Sequence, residues 1–388
     1  MFVWSLSTAQ LVSWGILFYS IAVFVVPMEA DLGWSKTALN AGITIGLVAS
    51  GVFAPWAGTQ IDRGNAWVVM TAGSIVGSLA VAAWAFVATP LVFWLLWVVI
   101  GFAMSCTLYE PGFAVLSRTM GDQAPRAILK MTLVGGLAST AFIPLAHLLV
   151  QELGWRHAVL SLAVINLAIS ASIHALMLRP DRLPPAPPRS QKLPSVSTRA
   201  ALADLRFWGL LIAFSIYNLV FTTFIFHFLP ILEERGVSRD TGVALFTLIG
   251  PLQVSGRILL FAGGQMVSAR LVGRAVFITA VPLLILAALA GADLALLTLF
   301  VAIYGVINGI STVVRGTIVR ELFGAQSYGA ISGSLTLPSN FARAVGPAFG
   351  AVLWSIGGGY GLVLYTLAGL CSVGAIAYWT ATRDMGSS

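Results

Sequence analysis

The stretch RPDRLPPAPPRSQKLPSVSTR, residues 179–199, is the one long polar interruption in an otherwise apolar chain. Its six prolines and the cations Arg179, Arg182, Arg189, Lys192 and Arg199 leave it no apolar face to bury. Such a segment reads as an extended, solvated linker. On either side lie apolar runs, each near the ~20 residues a helix needs to cross a bilayer. They fall at roughly 4–27, 38–57, 67–88, 91–117, 126–150 and 157–178 before the linker. After it come 204–231, 240–262, 273–291, 294–317, 328–356 and 361–381. The linker therefore divides twelve candidate spans into six and six.

Composition agrees. Of 388 residues, 58% are hydrophobic and 9% charged, with a mean hydropathy of +0.93. Soluble domains carry about 25% charged residues. A membrane β-barrel would show alternating segments of about 10 residues, whereas these runs are continuous and longer. The first run, Trp4 to Val26, is too long for a signal-peptide core and reads as a retained span. The expected fold class is an all-α integral membrane protein with twelve transmembrane helices in two pseudo-symmetric six-helix bundles. The expected organisation is an N-terminal bundle over 1–178, a cytoplasmic linker over 179–203 and a C-terminal bundle over 204–388.

The net charge of +7 reads as basic inner loops, not as a nucleic-acid surface. With the N-terminus inside, the inner loops hold Arg63, Arg118, Arg126, Lys130, the linker cations, Arg206, Arg270, Arg274, Arg320 and Arg383. The outer loops hold Lys36, Arg156, Arg235 and Arg239. That bias puts both termini in the cytoplasm and the chain in the inner membrane as a multi-pass protein.

The halves repeat each other. Ser50-Gly51 and Ala57-Gly58-Thr59-Gln60 match Ser255-Gly256 and Ala262-Gly263-Gly264-Gln265 at an offset of 205. Gly121, Gln123, Ala127 and Ile128 match Gly324, Gln326, Ala330 and Ile331 at an offset of 203. Six spans separate the copies, so they share one topology, as in parallel repeats about an axis along the membrane normal.

With these features the chain resembles the major facilitator superfamily over its whole length. Gly58-Thr59-Gln60-Ile61-Asp62-Arg63-Gly64 is similar to the family's loop signature between spans two and three. Within the superfamily the chain looks most like the monocarboxylate and oxalate–formate transporter-like branch. Gln253-Val254-Ser255-Gly256-Arg257 carries that likeness, with Arg343 in the eleventh span matching a second intramembrane cation by position. The resemblance implies a secondary transporter of a small organic anion, a carboxylate, with proton symport and alternating access. The alternative is an efflux transporter for a toxic compound such as a drug or arsenical. A transporter-like sensor is a third class.

An arginine at bilayer depth costs several kcal/mol unless it faces a cavity or partner. The deep pair Arg257 and Arg343 therefore favours an anion, and both are candidate substrate-binding residues. Tyr19 and Asn218 are polar candidates for the same path. Glu110 is the one acid set deep in an apolar run, and Pro111 and Gly112 follow it at once. Loss of the Pro111 N–H frees backbone of the preceding turn. Glu110 then reads either as the carrier of a coupling proton or as the acid of a structural charge network with Arg63 or Arg118. His227 is a second proton-coupling candidate, against the plainer reading of a hydrogen-bonded packing histidine. Gly58, Asp62, Arg63 and Gly64 read as conformational gating residues. Gly135-Gly136, and Gly346 with Gly350, read as close helix packing.

No phosphate-binding loop, zinc-ligand spacing or nucleophile elbow is present in the sequence, so neither an enzyme nor an ATP-driven pump is expected. No cofactor and no metal is expected. The expected partners are the small organic anion, the coupling proton and membrane lipid, with no nucleic acid, and the chain is expected to be monomeric.

Overall fold

The computed structural model describes residues 1–183, 196–262 and 268–383. The proline-rich heart of the linker, and Gly263-Gly264-Gln265 of the repeat, lie outside the described residues. Among those described there is no strand. The helices are α1 (Phe2–Trp14), α2 (Ile21–Leu32), α3 (Lys36–Asp62), α4 (Ala66–Trp84), α5 (Pro90–Thr107), α6 (Tyr109–Thr119), α7 (Ala124–Gly135) and α8 (Ala138–Asn166). They continue with α9 (Ser172–Met177), α10 (Thr198–Ala203), α11 (Leu205–Glu234), α12 (Arg239–Ala262), α13 (Ala269–Leu289), α14 (Leu294–Phe323), α15 (Tyr328–Gly357) and α16 (Tyr360–Thr382). Single π-turns, Gly15–Tyr19 and Leu167–Ala171, join α1 to α2 and α8 to α9.

Ten helical segments among the described residues are long and apolar enough to cross a membrane. The fifth of them, Gly121–Met177, holds two of the expected spans. They part at Gly154, whose φ of 74° breaks the helix, a conformation glycine reaches without a Cβ penalty. The eleventh expected span is α15, a 30-residue helix made less apolar by its serines, Asn340 and Arg343. Each of the twelve runs read from the sequence thus falls on helix.

The chain gathers into two compact units. The first comprises Met1–Val196 and Phe323–Leu337, the second Ser197–Leu322 and Pro338–Ser388. The core of the first is aromatic: Phe24, Trp84, Phe93 and Trp97 are at most 1% exposed. Trp97 fits because α3 carries Gly42 and Gly46, one turn apart on one face; a Cβ on either would lie 2.7 Å from its ring. The core of the second unit is built on Phe224, Phe228, Phe300 and Tyr304. There α12 and α14 pack backbone to backbone, Gly256 against Val306 and Gly309 against Gln253. Both units thus seat two of their helices through glycine, the close approach that lets helices associate where lipid supplies no hydrophobic drive.

α15 belongs to both units, changing over between Leu337 and Pro338. Pro338 lacks the N–H that would bond the Ser334 carbonyl, so the ladder is interrupted at that point. Before it, Gly329 and Gly333 lie on the backbone of Gly58 and Ala54 in α3. After it, Gly346 and Gly350 lie against Thr222 and His227 of α11.

Candidate functional site

The fourth span is two helices, α5 and α6, separated by Leu108, whose φ of −79° and ψ of −156° are extended. Pro111 explains the break. In a continuous helix its N–H would bond the Thr107 carbonyl, and proline has none. The Gln10 side chain, wholly buried, takes over: its Nε2 donates to Thr107 O at 2.7 Å and to Leu108 O at 3.1 Å. Glu110 consequently lies half-buried in the first turn of α6. At the same break an aromatic string forms. Trp14 stands 5.0 Å from Tyr109 and 6.2 Å from Tyr19, and Tyr109 stacks on Phe113 at 5.2 Å. Gly135 of α7 makes room for the Tyr109 hydroxyl.

Also in the first unit, Asp62 ends α3, and its two carboxylate oxygens accept from the N–H groups of Gly329 at 2.9 Å and Ala330 at 2.8 Å. These N–H groups belong to the first turn of α15, where a helix lacks internal acceptors. Arg118, in the last turn of α6, donates to the carbonyls of Ile61 and Asp62. Gly58 permits the approach, because any Cβ there would strike the Gly329 backbone. Gly64, at φ +99°, turns the chain out of α3, while Arg63 is exposed.

In the second unit, Arg343 lies midway along α15. Its Nε at 3.1 Å and Nη2 at 2.6 Å both donate to Asn218 Oδ1. Asn218 in turn donates from Nδ2 to Phe214 O at 2.8 Å, one turn back on α11. Arg315 of α14 holds its guanidinium carbon 5.2 Å from the Phe214 ring centroid, within cation–π range. Two guanidinium groups therefore address neighbouring turns of α11. Arg257 is 4% exposed and donates from Nε to Gly309 O at 3.2 Å. Tyr217 donates to Asn308 Oδ1 at 3.0 Å. His227 lies with Nε2 2.9 Å from Pro347 O and Nδ1 3.0 Å from the Tyr360 hydroxyl. A carbonyl accepts only, so Nε2 carries the proton, and in the neutral ring Nδ1 accepts from Tyr360.

Of the residues singled out from sequence, Tyr19, Gly58, Asp62, Arg63, Gly64 and Glu110 lie in the first unit. Asn218, His227, Arg257 and Arg343 lie in the second. Asn218 and Arg343 meet directly. Gln10 and Arg315 were missed as site residues. A glutamine inside the apolar run Phe2–Trp14 was the available signal for the first. The second reads from sequence as an anchor at a span end, and only its place over Phe214 sets it apart. Among the described residues no group of three or more His, Cys, Asp or Glu could hold a metal ion.

The family model for the Major Facilitator Superfamily matches residues 6–292. No curated protein matches the chain. Among solved structures, the human organic anion transporter MFSD10 (TETRAN) is similar with a TM-score of 0.71 at 17% identity, over 97% of this chain and 98% of that one. The fucose:proton symporter FucP of E. coli superposes with a TM-score of 0.74 at 12% identity, over 98% of both chains. FucP in its outward conformation gives 0.75 at the same identity and coverage. At such identities the likeness is one of fold. The fold and the family match together place this chain in the Major Facilitator Superfamily, as a transporter and not an enzyme.

Proposed function

We propose that the protein is a secondary transporter of a small organic anion, specifically a carboxylate, moved together with a proton. The observation that carries this reading is the Arg343 guanidinium, whose Nε and Nη2 both point at one oxygen, Asn218 Oδ1. That edge of the guanidinium is the one that holds a carboxylate bidentately. The Asn218 carboxamide oxygen stands where a carboxylate oxygen of the substrate would bind. Arg257 supplies a second buried cation in the same unit, and Tyr19 is a further substrate-binding residue in this reading. The likeness to the monocarboxylate and oxalate–formate branch, read from Gln253–Arg257, supports the same class.

Glu110 carries the coupling proton in this reading. It is the acid that the break at Leu108 sets at the start of α6, within the fourth span. His227, held between the Pro347 carbonyl and the Tyr360 hydroxyl, is the second proton-coupling residue in this reading. Asp62, with Gly58, Arg63 and Gly64, gates the cycle: its two bonds to the start of α15 must break for that helix to move. We place the chain in the inner membrane as a monomer. Residues 1–178 and 204–388 form the two bundles, the linker 179–203 joins them, and both termini are cytoplasmic, in line with the basic residues of the inner loops.

The test is counterflow of small carboxylates in proteoliposomes, with and without a pH gradient. Asn218→Asp builds a carboxylate into the Arg343 fork and is expected to abolish counterflow while the protein remains folded. Normal carboxylate transport by Asn218→Asp or by Arg343→Ala would sink the assignment.

A further inference from the structure

At the Asp62 end of the first unit, a cavity of about 350 Å³ opens between α3, α4 and α5. Its walls include Trp56, Gln60, Asn65, Ala72, Phe102 and Cys106. The size is within the ~300–1,000 Å³ typical of small-molecule sites. Gly73 lets α4 lie close to Cys106 of α5 deep in the unit, and the rings of Trp56 on α3 and Phe102 on α5 stand 5.6 Å from each other along its wall. The cavity is graded in polarity. Trp56, Val68, Val69, Ala72, Phe102 and Cys106 make an apolar slot, and Gln60 and Asn65 form its polar end.

The mouth of the slot faces outward from the helix bundle. Trp56 is 47% and Val68 55% exposed, on helices long and apolar enough to span a membrane. Hydrocarbon is the solvent that such a surface meets. At the polar end, Asn65 Nδ2 donates to Gln60 Oε1 at 2.9 Å. That pairing occupies the Gln60 carbonyl and leaves the Gln60 amide as donor. Asn65 precedes α4 without a side-chain bond to its first turn, so the N–H groups there are donors as well.

An apolar slot open to lipid, ending in amide and backbone donors at a helix start, complements one amphiphile: an acyl chain carrying ester and phosphate oxygens. We propose that this cavity is a binding site for a single phospholipid, with an acyl chain in the slot and ester and phosphate oxygens at Gln60, Asn65 and the start of α4. Asp62 lies between Gln60 and Asn65 in the chain, on the same helix end. Bound lipid would therefore brace the segment that carries the Asp62 contact with α15.

The experiment is native mass spectrometry of the full-length, delipidated protein titrated with dioleoyl phosphatidylglycerol. One phospholipid is expected to bind well ahead of the rest. Ala72→Phe, which fills the slot from its exposed side, is expected to weaken that first binding at least about tenfold. Leu79→Phe, on α4 outside the slot and 60% exposed, is expected to leave it unchanged. A phospholipid with a photoactivatable acyl chain should crosslink to the peptides containing Phe102 and Cys106. Equal binding by Ala72→Phe and wild type, crosslinks spread evenly over the exposed helices, or capture of oleate without phospholipid would each overturn the proposal.

Discussion

The fourth and tenth spans are counterparts in the half-repeat, yet one is broken and the other is not. α5 and α6 part at Leu108, while α14 runs unbroken for 30 residues. Both pack on their α3-type neighbour through glycine, Gly101 on the Gly46 backbone and Gly309 on the Gln253 backbone. What differs is local chemistry. Where the first copy has Glu110 and Pro111, the second has Val313 and Val314 at the 203 offset. The proline opens one carbonyl, Gln10 satisfies it, and the break supplies a helix start at which an acid can stand. The second copy keeps its ladder and instead presents Arg315 one turn from the Arg343–Asn218 pair along α11. A repeat supplies the scaffold twice; single residues then give one copy an acid and the other its guanidinium groups.

The largest expected effect breaks the cationic side. Arg343→Ala removes a charge-assisted fork worth about 1.5–3 kcal/mol. Carboxylate counterflow should fall roughly tenfold to a hundredfold, with Arg343→Lys recovering part of it. Next is the acid. Glu110→Gln keeps shape and polarity, and exchange without a gradient should survive while stimulation by an inward proton gradient disappears. Undiminished stimulation would remove Glu110 from the coupling step.

The break itself can be tested through stability. Gln10→Leu leaves the Thr107 carbonyl buried without a donor, at a cost of about 1–3 kcal/mol, read as a lower melting temperature in detergent. Pro111→Ala returns an N–H to that carbonyl, so the double variant should recover much of the loss. Strict additivity of the two substitutions would show that Gln10 does not stand in for the missing proline N–H. The smallest effect is at the α15 start. Asp62→Asn retains one acceptor oxygen of two and should cost about 1 kcal/mol. Its signature is faster exchange of the Gly329 and Ala330 amide hydrogens.

The candidate site was unevenly legible. Deep arginines announce themselves because a charge in hydrocarbon demands a reason, so Arg257 and Arg343 stood out in the one-dimensional pattern. Asn218 reads from sequence only as a polar residue in an apolar span. Its meeting with Arg343, 125 positions away, depends on α11 and α15 lying together. Asp62 was readable from its loop, but its partners were not, because backbone N–H groups have no sequence signature. The position of Arg315 near the end of the apolar run 294–317 concealed its place over Phe214.

The sequence by itself determined the all-helical membrane fold and the twelve runs, because bilayer thickness sets span length and lipid admits no unpaired backbone. It also determined the weak point in the fourth span, since proline lacks an N–H wherever it is placed. Only the tertiary structure decided that Gln10 fills the gap, that α15 changes units at Pro338, and that Asp62 holds the first turn of that helix. These depend on which side chains arrive at a given backbone group from distant parts of the chain, and hydrophobic periodicity carries no record of that.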